Sequence, residues 1–298
     1  MSALRILLTG ASGQVGWELA RTLLPLGQVF APGRGECDLL RVDALAALVV
    51  ATKTDVIVNA AAYTAVDQAE KDIDTAMAVN ARAPEALALA AKRHGALLVH
   101  YSTDYVYDGT KIGVYTEADA TAPRSAYDRS KLAGEEAVRA SGADHLIFRT
   151  SWVYASRGKN FLKTILRLAA EREELRIVAD QIGAPTWARL LADSTAFALR
   201  HELTSRGKGD FQSGTYHLTA AGETSWHGFA SAIIAGARAR GADLKCKSIV
   251  PITTAEYPLP AQRPANSRLA GGKFAAHYGL CMPQWEVCMH LCLSEFYQ

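Results

Sequence analysis

The sequence predicts an α/β protein: a doubly wound parallel sheet carrying a smaller C-terminal subdomain. Three observations lead there. In the first half, short aliphatic runs alternate with amphipathic stretches of helical period, and strands apolar throughout belong in a parallel sheet covered on both faces. A glycine-rich turn joins the first such run to the first helix. Beyond about residue 160 the alternation becomes irregular, as expected of an appended part.

Taken in order, LRILLTG (4–10) reads as a buried strand, followed by a helix from about Gly13 through Leu24. QVFAPG (28–33) is a second strand, DALAALVVATK (43–53) a helix and DVIVNAAA (55–62) a third strand. DTAMAVNARAPEALALAAKRHG is a long helical pattern broken near Pro84, and ALLVHYSTD (96–104) is the fourth strand. A polar loop leads to a helix opening on AYDRSKLAGEEA (126–137), and HLIFRTSWVY (145–154) is the fifth strand. Right-handed crossovers between these strands give the Rossmann arrangement.

FLKTILRLAAERE then reads as helix, LRIVAD as strand, TWARLLADSTAFALRHEL as helix and GTYHLTA as a short strand. Two loops rich in Pro and polar residues follow, notably YPLPAQRPANSRLAG (257–271), before a terminal helix. The expected division is a dinucleotide-binding domain, 1–158, and a mainly substrate-binding subdomain, 159–298, with some segments returning to the first domain.

Composition excludes several function classes. Lys+Arg 32 against Asp+Glu 30 leaves a formal charge of +2, so no nucleic-acid partner is expected from bulk charge. MSALRILLTG lacks the regions of a secretory signal, and no apolar run approaches a membrane span. The expectation is a cytoplasmic protein with no membrane association. Cys37 and Cys246 stand alone, while Cys281, Cys288 and Cys292 fall near the end, the last two i,i+4 with His290 between them. Thiolate metal sites come as paired C-x-x-C spacings, absent here, so these read as buried reduced thiols.

TGASGQVGWEL (9–19) spaces Gly10, Gly13 and Gly16 as G-x-x-G-x-x-G between strand and helix, with Gln14 and Val15 inside the loop. Glycines there let backbone N–H groups approach a pyrophosphate at the positive end of the helix dipole. An acid ending the second strand would select a ribose 2′-hydroxyl; here Gly33 stands in that place, followed by Arg34. That favours NADPH, with NADH still possible because Arg34 equally suits a solvated loop. Asp38 and Leu39 are candidates to flank the adenine, and Ala62, Tyr63 and Thr64, after the third strand, complete the cofactor set.

Tyr127 and Lys131, four apart on a helix, share one face. Beside the carboxyl ends of parallel strands, that face looks into the ligand crevice. An adjacent ammonium favours phenolate, and a phenol so tuned can protonate a carbonyl oxygen as hydride arrives at carbon. Thr103 and Asp104, at the fourth strand's end, place a hydroxyl where it can bond the same oxygen.

With these residues in view, the sequence resembles the extended short-chain dehydrogenase/reductase superfamily and, within it, the dTDP-4-dehydrorhamnose reductase family. The matching runs are GASGQVGWEL, NAAAYTAVDQAE, HYSTDYVYDG, KLAGE, HLIFRTSWVYA, DQIGAPT and RPANSRL, in order along nearly the whole chain. The resemblance implies NADPH- or NADH-dependent reduction of the 4-keto group of dTDP-4-dehydro-L-rhamnose. It implies Tyr127 as proton donor, Lys131 as its tuner and ribose anchor, and Thr103 as carbonyl partner. It further implies sugar contacts from Thr103, Asp104, Tyr105 and Trp152, and diphosphate contacts from the loop holding Arg263, Asn266 and Arg268. Asp67 and Glu70 read as structural charges.

Nucleotide-sugar 4,6-dehydratases carry Asp-Glu after the threonine, and here the pair is Asp104-Tyr105, which removes a carboxyl that elimination needs. An epimerase, another nucleotide-sugar reductase and a non-catalytic NADP-binding regulatory subunit remain as alternatives. Three departures stand out: Asp128 follows the tyrosine where Gly is usual, Gly33 replaces an acid, and the positions that hold Mg²⁺ between subunits in some relatives read Glu18, Arg189 and Glu295. Arginine cannot ligate Mg²⁺, so no Mg²⁺ site and a monomer or weak homodimer are expected. Trp226, Tyr257 and Trp285 suit either the core or stacking on a base.

Overall fold

The computed structural model describes residues 3–297. The chain opens with β1 (Leu4–Thr9), α1 (Gln14–Thr22), β2 (Gly27–Phe30), α2 (Val42–Ala51) and β3 (Val56–Asn59). Two short helices, α3 (Val66–Ala69) and α4 (Ile73–Met77), lead through a π-turn at Ala78–Arg82 into α5 (Ala83–His94) and β4 (Leu97–Thr103). α6 (Ala126–Ala140), β5 (His145–Thr150) and β6 (Val153–Tyr154) follow. The second half comprises α7 (Phe161–Glu171), β7 (Glu174–Val178), β8 (Ile182–Gly183), β9 (Thr186–Trp187), α8 (Ala188–Lys208) and β10 (Gly214–His217). It closes with β11 (Thr224–Ser225), α9 (Trp226–Arg238), β12 (Ser248–Ile252), β13 (Asn266–Ser267), α10 (Gly272–Tyr278) and α11 (Trp285–Phe296).

The large sheet has the order β10-β5-β4-β3-β1-β2, with every pair parallel. Strand order reverses at β1, so the crevice outside the carboxyl ends of β1 and β3 is where such a sheet binds ligands. Alternate strand residues go to opposite faces. Ile6, Leu8, Val56, Val58, Leu97, Val99, Leu146 and Phe148 pack with Leu19 of α1 and Leu191 and Leu199 of α8. Leu7, Ile57, Leu98 and Ile147 pack with Leu45 and Val49 of α2, Leu87 of α5 and Val138 of α6. Burying each such side chain contributes about 1.5–3 kcal/mol, so the doubly covered sheet is the stable platform for everything above it.

The C-terminal subdomain has its own core, in which Leu162, Ile165, Phe229, Ile233, Trp285, Met289 and Cys292 pack together. Cys288 and Cys292 lie within it, and burial pushes their thiols up to about 11 and about 12, so both are protonated packing groups at neutral pH. Among the described residues, no helix is long and apolar enough to cross a membrane.

Several expectations need correcting. The pattern around Pro84 is not broken: the π-turn at Ala78–Arg82 runs straight into α5, whose first turn holds Pro84, where the missing N–H has no intrahelical partner to lose. HLIFRTSWVY is two strands, β5 and β6, separated at Trp152, which takes a left-handed φ of 48°. The segment read as loops between GTYHLTA and the terminal helix contains α9, β12 and α10. α8 packs on the large sheet, and β10 is the sixth strand of that sheet.

Candidate active site

The glycine loop closes the amino end of α1. Gly13 N–H donates to the Gly10 carbonyl at 2.9 Å, and Gly13 caps the helix with no side-chain hydrogen bond, leaving first-turn amides for an external anion. Gly10 has a φ of 76°, and a Cβ there would lie 2.6 Å from Ala61 N, so the turns after β1 and β3 touch only because it is glycine. A Cβ at Gly16 would lie 2.1 Å from the Gly10 carbonyl oxygen. Gln14 Oε1 accepts from Asn160 Nδ2 at 2.8 Å, tying the loop to the end of the segment after β6.

The other cofactor candidates flank this loop. Arg34 lies exposed in the turn after β2, with open space around Gly33. Asp38 is half-buried and accepts from Leu40 N–H at 3.1 Å, whereas the Leu39 side chain is buried against α2. Ala62, Tyr63 and Thr64 line the turn after β3, where Tyr63 N–H donates to Asn80 Oδ1 at 2.8 Å and Asn80 Nδ2 donates back to the Tyr63 carbonyl at 3.0 Å.

At the end of β4 the Thr103 hydroxyl donates to Asp104 Oδ1 at 3.0 Å and accepts from Tyr105 N–H at 3.2 Å. Asp104 is buried, its Oδ2 has no hydrogen-bond partner, and burial pushes its pKa up to about 7 against the pull of Ser267 and Thr103. An orphaned buried carboxylate oxygen is costly, so it marks a place prepared for a donor. Tyr105 sets its ring edge-on to Tyr127, with centroids 6.2 Å apart.

Tyr127 and Lys131 stand on α6, whose amino end is fixed twice. Ser125 accepts from Asp128 N–H at 3.1 Å while Asp128 Oδ2 accepts from Ser125 N–H at 3.0 Å, a reciprocal cap. Glu70 Oε1 accepts from Ala126 N–H at 2.7 Å. Asp128, the departure beside the tyrosine, therefore turns back to the helix end rather than toward the phenol oxygen.

The phenol differs from expectation. Burial, then the Asp104 charge, raise the Tyr127 pKa, Thr103 lowers it, and Asp128 adds a smaller push upward. Lys131 Nζ donates to the Tyr101 carbonyl at 2.6 Å, and burial brings the ammonium down to about 8. The protein alone thus keeps the Tyr127 proton on, the state a proton donor starts from.

Over this crevice sits the second-half wall. Trp152 stacks on Trp226 at 3.6 Å between centroids, and a Cβ on Gly183 would lie 2.7 Å from the Trp152 ring, so the indole is held between α9 and β8. Trp226 Nε1 donates to Gln181 Oε1 at 3.1 Å. Arg263 makes two bonds of 2.6 Å to Asp67, Asn266 Nδ2 donates to the Lys111 and Gly113 carbonyls, and Arg268 donates to Asn266 Oδ1 at 2.8 Å.

Residues 4–298 match the family described as the RmlD substrate binding domain. A dTDP-4-dehydrorhamnose reductase of Burkholderia thailandensis is 56% identical over 294 residues, covering 98% of this chain and 99% of that one. The chain belongs to the dTDP-4-dehydrorhamnose reductase family. The reductase of the same name from Escherichia coli K12 is 47% identical over 298 residues, covering 99% of this chain and 98% of its own. A solved dTDP-4-dehydrorhamnose reductase of Bacillus anthracis in complex with NADP superposes with a TM-score of 0.89 at 34% identity, covering 99% of this chain and all of that one.

In this reductase-family chain two groups that motif reading passed over, His100 and Asn80, support the site together with Asp67. His100 lies buried between Asn59 Nδ2, at 3.1 Å from its Nδ1, and Lys131 Nζ, at 3.5 Å from its Nε2, and Thr9 donates to Asn59 Oδ1 at 2.6 Å. Its signal was available: one imidazole in the otherwise aliphatic start of strand LLVHYST. Asn80 links the turn after β3 to Ser130 at 2.9 Å, and Ser130 donates to the Tyr127 carbonyl at 2.7 Å. Asp67, read as a structural charge, is the clamp on Arg263. Of the three aromatic candidates, Trp285 is core, Trp226 is the stacking partner of Trp152, and Tyr257 is exposed.

Proposed function

We propose that this protein reduces the 4-keto group of dTDP-4-dehydro-L-rhamnose to give dTDP-L-rhamnose, with NADPH as reductant and NADH as a poorer substitute. The single observation that carries the mechanism is the meeting of Thr103, which ends β4, and of Asp104 and Tyr105 in the turn after it with Tyr127 and Lys131 on α6. The residues fit the cofactor: glycines leave α1 free to receive a pyrophosphate, and Arg34 stands exposed nearby for a 2′-phosphate. Bound NADPH supplies the hydride.

Tyr127 gives its phenolic proton to the C4 oxygen, and Thr103 steadies the developing alkoxide through its hydroxyl. Asp104, whose Oδ2 lacks a partner, accepts from a sugar hydroxyl, and Trp152 supplies a flat apolar wall to the ring. Lys131 keeps N–H groups beyond the one given to Tyr101 for the nicotinamide ribose. Arg263 and Arg268 bring guanidinium donors to the diphosphate side, on a loop that Asn266 pins by giving both amide hydrogens to the Lys111 and Gly113 carbonyls. Because Tyr105 puts a phenol where elimination needs a second carboxyl, dehydration is disfavoured. We place the enzyme in the cytoplasm, as a monomer or weak homodimer supplying the L-rhamnose donor for cell-surface polysaccharide.

The test is NADPH oxidation with dTDP-4-dehydro-L-rhamnose by the wild type and Tyr127→Phe. Turnover falling on the order of 100-fold or more in the variant, with NADPH binding intact, supports the assignment. Cofactor binding with no turnover in the wild type would shift the reading to another nucleotide sugar or to a regulatory subunit.

A further inference from the structure

Away from the crevice, α8 and α10 bring together His201, Glu202 and His277. Glu202 Oε1 lies 2.9 Å from His277 Nε2 and 3.7 Å from His201 Nδ1, and all three ligand atoms fall within 4.8 Å of one another. The Glu202 side chain is buried, and among the described residues its charge partners within 4 Å are these two imidazoles, with no Lys or Arg. Such a carboxylate is costly without a cation. Beside it the Tyr278 hydroxyl is buried with no hydrogen-bond partner.

We infer that these three side chains form a binding site for a borderline divalent transition-metal ion, with Zn²⁺ the chemistry they fit best. Two imidazole nitrogens and one carboxylate oxygen are a ligand set that Zn²⁺ uses, whereas Mg²⁺ and Ca²⁺ want oxygen alone. Bonds of about 2.0–2.2 Å in a tetrahedron put ligand atoms about 3.3 Å apart, and the observed 2.9 and 3.7 Å bracket that value. Both imidazoles are partly exposed, at 48% and 40%, so the ion has an entry path and a position for water. The ring of Tyr216 packs on His277, and the Tyr278 phenol next to Glu202 is placed to bond the carboxylate or the bound water. The ion would staple α10, near the C-terminus, to α8 on the large sheet. It shares no residue with the Tyr127 site, so this inference stands apart from the reductase reading.

The experiment is calorimetric titration of the untagged, chelator-stripped chain with Zn²⁺, alongside melting curves and the visible spectrum with Co²⁺. One ion per chain, a rise in melting temperature and intense four-coordinate Co²⁺ bands are expected, with Mg²⁺ giving none of these. Because Glu202 is buried, the decisive variants are His201→Ala and His277→Ala at partly exposed positions. Each should weaken Zn²⁺ by at least about tenfold while NADPH oxidation without metal stays at the wild-type rate. No saturable binding, or binding unchanged in both variants, would overturn the site.

Discussion

Lys131 and Asp104 set the pH behaviour of the crevice, because burial opposes the charge of each. Asp104 gains its charge as pH rises through about 7, and Lys131 loses its own as pH rises through about 8. If both charges serve turnover, kcat/KM should peak in that narrow interval, and Asp104→Asn should remove the acid limb while lowering kcat. Stability runs the other way. Asp104 has a folded pKa above the usual carboxylate value, so its contribution is present below pH 4 or so and is lost as pH rises through about 7. Lys131 has a depressed folded pKa, so its contribution is present above about pH 10 and is lost as pH falls through about 8. The two groups therefore cost the fold most where catalysis peaks, and Asp104→Asn should raise the melting temperature at pH 8. A variant that melts lower there would contradict the burial argument.

His100 extends the same logic beneath the lysine. Because Thr9 holds Asn59 Oδ1, the Asn59 amide nitrogen faces Nδ1, and the neutral ring then carries its proton on Nε2, toward the ammonium 3.5 Å away. His100→Gln, whose amide oxygen can accept from the ammonium, should move the alkaline limb of kcat to higher pH, and His100→Leu should move it less. Equal profiles in both variants would reduce His100 to packing. Tyr127, Lys131 and Thr103 were legible because motif spacing alone puts them at a helix start and a strand end. Asn80 was not, since its value comes from a neighbour 50 residues away in the chain, and His100 showed only as a lone imidazole whose partner lies 31 residues on.

At the scale of elements, α6 is the device that aims the chemistry, and it is held by backbone proximity as much as by caps. A Cβ on Gly134 would lie 2.0 Å from the Asn80 carbonyl oxygen, so only glycine lets α6 rest on the π-turn. Gly134→Ala must push the helix away, and we expect a loss of about 1–3 kcal/mol in stability. Since Tyr127 rides on the displaced helix, kcat should fall more than the affinity for NADPH; a variant with full kcat and normal stability would show the contact to be slack. Legibility at this scale followed regularity. The alternating strands and helices up to β5 repeat one pattern, and the burial periods announced them. α9 begins on Trp-His-Gly and carries a second glycine, Gly236, which masks its period, while β12 contains Pro251. Two-residue strands such as β8 and β13 exist only through their partners, so no local signal could reveal them.

For the molecule as a whole, the question is what holds together the positions that the resemblance sets between subunits around Mg²⁺. Arg189, on α8, pairs with Glu18 on α1 at 3.2 Å and with Glu295 on α11, bringing a fixed guanidinium between two carboxylates from opposite ends of the chain. Arg21 also reaches Glu18, at 2.6 Å. Glu18 Oε2 and Glu295 Oε1 already face a cation of the same chain, Glu295 Oε2 accepts from the Ser156 hydroxyl at 3.0 Å, and a guanidinium offers donors but no lone pair. Sedimentation of the wild type should therefore be the same in Mg²⁺ and in chelator. Arg189→Gln frees Glu295 and leaves Glu18 with Arg21 alone. We expect a loss of about 1 kcal/mol, held down by the partial exposure of the arginine, and the loss should shrink in high salt because screening already weakens such a pair. An Mg²⁺-dependent shift in the wild type would mean that the arginine moves aside for the ion, and the pairing seen within one chain would then be only one of two arrangements.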